Sequence, residues 1–274
     1  MSVRSSETRN RIGGIKEAFK GLKLVAANEG EDMPNCMNKM LRAPNAERNV
    51  SFGLDEALLQ VESSSLRKVL FGGERVEEIS SYVAGWMVGH GIETIVLDGA
   101  NRFNPYIVSS FARKILIPPE DLLHRIRIAR AFTCYQMATL MGEKLVSLLM
   151  EENRMVRAQK PLVILLGPLN TFLDEDVPER EVSPLLERSL RKVETLAAEG
   201  IPFFLFQSFP SPHSRRAYLM RKLFQFADLV WRVSLEDQGP KVTLEKGPKL
   251  NIIENCKMQN EKRKFPETIL PFQW

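Results

Sequence analysis

The residues with the clearest chemical potential lie in the stretch VLFGGERVEEIS, where an apolar run enters two glycines and a helical pattern follows. A phosphate-binding loop has this layout, with the spacing G-x-x-x-x-G-K-[ST]: backbone N–H groups and a lysine hold phosphates, and a hydroxyl binds magnesium. Gly72 and Gly73 supply the start of the motif. Glu77 then stands at the second glycine, Glu78 at the lysine and Ile79 at the hydroxyl. The stretch keeps the layout of a phosphate loop without its chemistry.

The glutamate at the lysine position changes the electrostatics of the loop. At an effective dielectric constant of about 20, two unit charges about 4 Å apart interact by roughly 4 kcal/mol. Glu78 therefore converts an attraction for phosphate into a repulsion of similar size. A basic residue such as Arg75 or Arg113 could pair with Glu78 and fill the phosphate cavity, and we state this as a hypothesis. Nucleotide binding would then be replaced by an internal ion pair.

The elements that must position this loop alternate along the chain from Ser51 onward. Apolar strand-like runs alternate with segments of helical spacing, which indicates a mainly parallel sheet covered by helices on both faces. The predicted strands are RKVLFG, ETIVLDG, RIRIARAF, PLVILLG and PFFLFQS, and DLVWRVSL with KVTLEKG forms a terminal antiparallel hairpin. The predicted helices end near His90, begin at Pro105 behind the cap Asn104, and span about 135–157 and about 185–199.

The strand RIRIARAF has a sharp alternation of residue types. Ile126, Ile128 and Phe132 share one face, and Arg125 and Arg127 share the other, which is typical of a strand. The arginines of this segment either extend from the sheet or pair with acidic residues. They are Arg125, Arg127 and Arg130.

Six landmarks in order give the chain a resemblance to the RecA/RadA recombinase family, in its archaeal and eukaryotic branch, over about residues 52–248. LDEALLQVESSSLRKVLFG matches the segment that leads into the family's P-loop strand, and VLDGANRFNPYIV matches its D-T-E-G-like turn and F-x-P helix entry. IARAF matches the family's ARAF strand and is followed by Gln136. The apolar strand LVILLG, the glutamine-ended strand FFLFQS and the terminal hairpin complete the series. The resemblance implies a RecA-like P-loop ATPase core.

Carried over residue by residue, the resemblance implies that catalysis is lost. The family's P-loop lysine is Glu78 here, its magnesium-binding hydroxyl is Ile79, and its water-activating glutamate is Ala100. The aspartate that ends the fourth-motif strand is Gly167. Two family residues stay in place, Asp98 and the sensing glutamine Gln207. Phosphoryl transfer depends on positioning and charge neutralisation, so we expect a pseudo-ATPase without cofactor.

In the resembled family, two loops hold DNA. The first follows LVILLG and is acidic here, with Asp174, Glu175, Asp176, Glu179 and Glu181 against Arg180 alone. The second follows FFLFQS and is basic, with aromatic residues suited to base stacking. Its predicted DNA contacts are Arg215, Arg216, Arg221 and Lys222, interleaved with Phe209, Tyr218 and Phe224. The alternative interpretation is an amphipathic helix that buries Tyr218, Leu219, Leu223 and Phe226 and leaves its arginines in solvent.

Composition sets the outer limits of the function. The 274 residues carry a net charge of +4 with a pI of about 8.9, which permits nucleic-acid binding without requiring it. No run approaches the roughly 18 apolar residues of a membrane span, and the start of the chain lacks a signal-peptide core. Three cysteines and three isolated histidines predict reduced thiols in a cytoplasmic protein without a metal site. The expected organisation is an arm at 1–50, a core at 51–250 and a tail at 251–274.

These observations lead to one expected role and two alternatives. The expected role is an accessory in DNA recombination or repair, acting through DNA contact or through a recombinase or other protein partner. The alternatives are a scaffold of RecA-like fold without a DNA role, and an unusual nucleotide-binding enzyme that uses Asp98 and Gln207. The family polymerises through an F-x-x-A segment, and FKGL at 19–22 departs from it at the last position. An ordered filament is therefore not expected, while a dimer or a heteromeric pair stays open.

Overall fold

The computed structural model describes residues 51–247, with gaps at 55–56, 59–60, 62–65, 155–159, 175–176, 212–213 and 237–238. The predicted arm at 1–50 and the tail at 251–274 lie outside the described residues. So do Phe19 to Leu22, the segment considered for self-assembly.

Eight strands form a single sheet in the order β1-β8-β7-β2-β6-β5-β3-β4. The first four in the chain are β1 (Ser51–Gly53), β2 (Lys68–Gly72), β3 (Thr94–Asp98) and β4 (Ile126–Arg130). The last four are β5 (Leu162–Leu166), β6 (Phe203–Gln207), β7 (Leu229–Glu236) and β8 (Gly239–Lys246). The six strands from β7 to β4 in the sheet order are parallel, while β8 is antiparallel to both β7 and β1.

Helices connect the parallel strands. Helix α1 (Glu77–Gly89) follows β2, α2 (Pro105–Lys114) and the short α3 (Pro119–Leu123) follow β3, and α4 (Cys134–Thr139) follows β4. A π-helical turn at Leu140–Lys144 joins α4 to α5 (Leu145–Arg154). A 3₁₀ turn at Asn170–Phe172 and α6 (Glu179–Ala198) follow β5, and α7 (Tyr218–Phe226) follows β6.

Two hydrophobic cores, one on each face of the sheet, hold these layers together. Alternation along β2 divides them, because Val69 and Phe71 belong to the core under α1 and α2, while Leu70 belongs to the core under α4 to α7. The central strands β2, β3, β5 and β6 are buried at every position, as expected for strands covered on both faces. This architecture confirms the predicted α/β class, the mainly parallel sheet and the terminal hairpin.

Most local predictions also agree with the structure. Asn104 caps α2, since its side-chain oxygen accepts a hydrogen bond from the N–H of Tyr106 at 3.0 Å, with Pro105 at the first helical position. The helix predicted over 135–157 is present as far as Arg154, with the π-helical turn inside it, and 155–157 lie outside the described residues. Helix α6 begins six residues earlier than the predicted Leu185, since Pro178 precedes its first turn and Pro184 is tolerated within it.

The segment RIRIARAF contains the predicted strand, β4, which lies at the end of the sheet order. Its apolar residues do not all face the core. Ile126 is buried, whereas Ile128 is 41% exposed and Phe132 is 66% exposed. An apolar alternation predicts a buried face in a covered strand, whereas at the edge of a sheet the same alternation can lie on a solvent face.

None of the helices in the described part of the chain combines the length and the apolar character needed to cross a membrane.

Candidate functional site

Parallel strands bring the predicted site residues to one edge of the sheet. Gly72 at the end of β2 lies opposite Gln207 at the end of β6, and Asp98 at the end of β3 lies opposite Leu166 at the end of β5. Since β6 also pairs with β5, the four strand ends are consecutive neighbours. The turns that follow these strands therefore form one continuous surface at the carboxyl edge.

Both glycines of the candidate phosphate loop are closely packed, and at Gly73 the packing excludes a Cβ. The Phe209 ring lies against Gly72, because a Cβ added there would be 3.2 Å from the ring edge. Beside it, a Cβ on Gly73 would collide with the carbonyl oxygen of Val233 on β7. Arg232 also packs on this ring, with its guanidinium carbon 5.3 Å from the Phe209 ring centroid. The glycine pair accommodates β7 and an aromatic ring at the place where a phosphate loop would hold its ligand.

Glu78 pairs with Arg75 within the same turn. The Nε and Nη2 atoms of Arg75 each donate to one carboxylate oxygen of Glu78 at 2.8 Å, a bidentate geometry that raises the pKa of Arg75. Arg75 adopts a positive φ of 53° in the turn that leads into α1. The predicted pairing of Glu78 with Arg75 is therefore present, and it lies at the surface, since 45% of the Arg75 side chain is exposed. Whether the pair takes the place of a nucleotide stays a prediction.

Glu77 occupies the second-glycine position, and the sequence did not predict the contact that its carboxylate makes. It is buried, and its carboxylate accepts hydrogen bonds from the N–H of Ser208 at 2.8 Å and from the Ser208 hydroxyl. Both carboxylates of the first turn of α1 lie where the helix dipole favours negative charge. Acidic residues in a first helical turn are a common helix-start signal, so the sequence alone could not assign this contact.

The retained Asp98 is a structural residue. Its carboxylate is fully buried and accepts hydrogen bonds from the N–H groups of Ala100, Arg102 and Phe103 at 3.0–3.3 Å. The Nε atom of Arg130 lies 3.6 Å from it. Asp98 therefore organises the turn after β3, and its oxygens are already engaged by the chain.

Ala100, after β3, and Gly167, after β5, pack against each other at the carboxyl edge of the sheet. Gly167 has a φ of +56°, and a Cβ placed on it would lie 2.5 Å from the Cβ of Ala100. The Gly99 N–H donates to the Leu166 carbonyl at 2.8 Å, which holds the two turns together. Because these turns touch, the edge has no room for a side chain at Gly167 without rearrangement.

Gln207 is similarly engaged. It is buried, its Oε1 accepts a hydrogen bond from the Leu169 N–H at 2.8 Å, and its Nε2 donates to the Asn170 Oδ1 and the Ser208 carbonyl, each at 2.9 Å. Gln207 thus connects the turn after β5 to the segment after β6.

Ile79, at the position of the magnesium-binding hydroxyl, is buried in the core beneath α1 and presents no polar atom.

The basic segment after β6 divides into two kinds of residue. Arg216 is only 3% exposed, and its guanidinium donates to the carbonyl oxygens of Phe172, Asp174 and Val177 in the turn after β5. Because it is buried, Arg216 is neither the predicted DNA contact nor the solvated helix residue of the alternative interpretation. The loop after β5 has backbone carbonyls that no helix or strand supplies with a hydrogen-bond donor. That need for a donor was the one sequence signal that could have predicted a buried arginine.

The other three basic residues of the segment are accessible to different extents. Lys222 donates to Glu187 and, at 3.0 Å, to the hydroxyl of Ser183, which attaches α7 to α6. Arg215 is exposed in the turn before α7, and Arg221 is exposed on α7 itself. The predicted DNA surface therefore depends on these two arginines.

The chemistry available at this edge is limited. Among the described residues, no group of three or more His, Cys, Asp or Glu side chains could hold a metal ion. The one described cysteine, Cys134, is buried, and burial raises the pKa of its thiol. The polar side chains of the candidate site are hydrogen-bonded within the chain, and they are Glu77, Glu78, Asp98 and Gln207.

Comparison with models of protein families finds no match, and comparison with curated proteins finds none either.

Proposed function

We propose that the chain is a non-catalytic RecA/RadA-like protein that acts as an accessory in DNA recombination or repair. The observation that carries the proposal is the internal filling of the predicted nucleotide site, in which Glu78 pairs with Arg75 and Glu77 with Ser208. A site of this kind neither binds nor hydrolyses a nucleotide. A recombinase-like core that has no nucleotide site can still act through the surfaces that bind DNA or a protein partner.

The arrangement of the landmarks supports the RecA-like part of the proposal. In the resembled family, one ligand is contacted by the P-loop, the D-T-E-G turn, the fourth-motif strand and the sensing glutamine. Such a composite site requires the corresponding strands to be neighbours with their carboxyl ends together. The strands β2, β6, β5 and β3 meet this requirement in this chain.

Direct DNA contact is proposed for Arg215 and Arg221. Both are exposed, and no acidic residue lies between Glu199 and Asp228 in the sequence. Exposed arginines bind phosphates through charge, so affinity should fall steeply with salt.

A gel-shift titration of the full chain with single-stranded and duplex DNA tests this contact at about 50 and 200 mM salt. We expect sub-micromolar binding at the lower concentration, weakened by Arg215→Ala combined with Arg221→Ala. The matched control is Arg191→Ala, an exposed arginine on α6. Absence of binding at low salt would exclude direct DNA contact by this chain.

A scaffold without a DNA role is the second candidate function. It is favoured by the internal use of Arg216 and Lys222, which attach α7 to the turn after β5 and to α6. Purified chain that binds no DNA and co-purifies stoichiometrically with a recombinase would support the scaffold. The third alternative, a nucleotide-binding enzyme using Asp98 and Gln207, is not proposed because the chain itself engages both side chains.

A further inference from the structure

Exposed apolar side chains concentrate near the β4 end of the sheet. Among the described residues, six large apolar side chains are exposed, and four of them lie on β4, just after it, or in the first turn of α2. These four are Tyr106 at 79%, Phe132 at 66%, Tyr135 at 48% and Ile128 at 41%. Three of the four are aromatic. A cluster of exposed aromatic residues is uncommon on a surface that has no partner.

The turns that carry these residues are fixed to each other through Asp98. The Arg102 N–H donates to one oxygen of this buried carboxylate at 3.3 Å, and the Arg130 Nε lies 3.6 Å from the other. Arg130 also donates to the Phe103 carbonyl at 3.4 Å. Phe132 lies two residues after Arg130, and its backbone N–H donates to the Gln136 Oε1 at 2.8 Å. The aromatic residues therefore stand on an ordered support.

The segments that carry these residues contain no acidic side chains. No Asp or Glu occurs at 99–119 or at 122–142, which include α2, β4 and α4. The positive residues of these segments are Arg102, Arg113, Lys114, Arg125, Arg127 and Arg130. Arg102, Arg127 and Arg130 are exposed, Arg130 at 45% of its side chain. An acidic residue from another element, Glu181 on α6, accepts a hydrogen bond from the Tyr135 hydroxyl at 2.6 Å, so Tyr135 lies beside a negative charge. Around the other exposed residues the positive charge of these segments favours an anionic partner.

We propose that single-stranded nucleic acid binds to this surface, which we call the β4 edge surface and define by Arg102, Tyr106, Arg130 and Phe132. Exposed aromatic rings stack on bases, and the neighbouring arginines neutralise the backbone. A duplex hides the faces of its bases, so the aromatic residues favour a single strand. The surface uses neither Arg215 nor Arg221, and it does not depend on them.

The test is fluorescence anisotropy of the full chain with a labelled oligo(dT) of about 20 nucleotides, longer than the roughly 4–16 nucleotides that one OB-fold site covers. Tyr106→Ala combined with Phe132→Ala should weaken binding at least about tenfold, with little change in salt dependence. Arg102→Gln should also weaken binding and should lower the slope of log K against log salt by about one. Thermal melts verify that each variant stays folded.

Matched variants distinguish the β4 edge surface from the α7 contact and from a protein interface. Met150→Ala changes an exposed apolar residue on α5 and should leave binding unchanged. If only Arg215→Ala with Arg221→Ala weakens oligo(dT) binding, the β4 edge surface is rejected and the α7 contact is retained. If wild-type chain binds no oligo(dT) at low salt, both are rejected. Concentration-dependent dimers abolished by Phe132→Ala, without nucleic-acid binding, would show instead that the edge joins protein chains.

Photocrosslinking supplies a second readout that does not depend on a loss of affinity. Oligonucleotides with 5-iodouracil should crosslink to Tyr106, Phe132 or Tyr135, and tryptic mapping should identify the peptide. Crosslinks confined to α7 would overturn the proposal.

Discussion

Ala100 and Gly167 lie in direct contact at the carboxyl edge of the sheet, with 2.5 Å between the Ala100 Cβ and the position that a Cβ on Gly167 would take. In the resembled family these positions carry the water-activating glutamate and the aspartate of the fourth motif. Here the turns after β3 and β5 contact each other through two small residues. These two positions therefore form a packed contact that leaves no space for a side chain at Gly167.

Gly167→Ala should destabilise the chain by about 2–5 kcal/mol, because the positive φ disfavours any side chain and the new Cβ meets Ala100. Ala100→Gly in the same chain should recover the part due to the collision. Urea unfolding followed by circular dichroism measures both. Gly142→Ala is the control, since a Cβ there meets nothing within 4 Å. Equal stability of the Gly167→Ala variant and wild type would contradict the packed contact.

The Glu77 contact with Ser208 should also appear in stability. Glu77→Ala leaves the Ser208 N–H without its acceptor and should cost about 1–3 kcal/mol, while Ser208→Ala removes only the hydroxyl bond and should cost about 1 kcal/mol. A double-mutant cycle measured by urea unfolding should give a coupling energy of at least about 0.5 kcal/mol. If the free-energy changes of the two single variants simply add in the double variant, Glu77 and Ser208 do not stabilise each other.

Arg216 and Arg215 are adjacent and should behave oppositely. Arg216→Ala removes charged donors from the carbonyls of Phe172, Asp174 and Val177 and should cost about 3 kcal/mol or more. Arg215→Ala should change stability by less than about 0.5 kcal/mol. Hydrogen exchange should increase at 167–174 in the first variant alone. Equal exchange in both variants would show that Arg216 does not hold this turn.

The attachment of α7 to α6 should weaken in acid. The hydrogen bond from Lys222, followed by its charge, lowers the pKa of Glu187 below its ordinary value. A carboxylate with a lowered folded-state pKa stabilises the fold above its unfolded-state pKa, near about 4.3, and this contribution is lost as the pH falls through the folded-state value. In Lys222→Gln, unfolding measured between about pH 3 and 5 should therefore depend less on pH than in wild type. Parallel curves would contradict the role of this pair.

The fold was largely predictable from the sequence because burial dominates it. The strands β2, β3, β5 and β6 are apolar over most of their length, and their alternation with helical segments is sufficient for a parallel sheet covered on both faces. β4 shows the limit of such patterns, since an apolar alternation does not distinguish an edge strand from a central one. Only the sheet order reveals that Phe132 is exposed.

The candidate site was predictable in position and only partly in its contacts. The Arg75 pair was within reach of sequence reasoning because the two partners lie three residues apart in the chain. The contacts of Glu77 with Ser208 and of Arg216 with Phe172 join residues 131 and 44 positions apart. Such contacts depend on which strands are neighbours, and no local pattern encodes them.

Calorimetric titration of the full chain with ATP and magnesium tests directly whether the nucleotide site is filled from within. A site occupied by Glu77, Glu78 and the Phe209 ring predicts no saturable binding heat up to millimolar nucleotide. Glu78→Lys should not create binding, because the Glu77 contact and the closed turns remain. Saturable binding with a micromolar dissociation constant, in wild type or in this variant, would contradict the internal filling of the site.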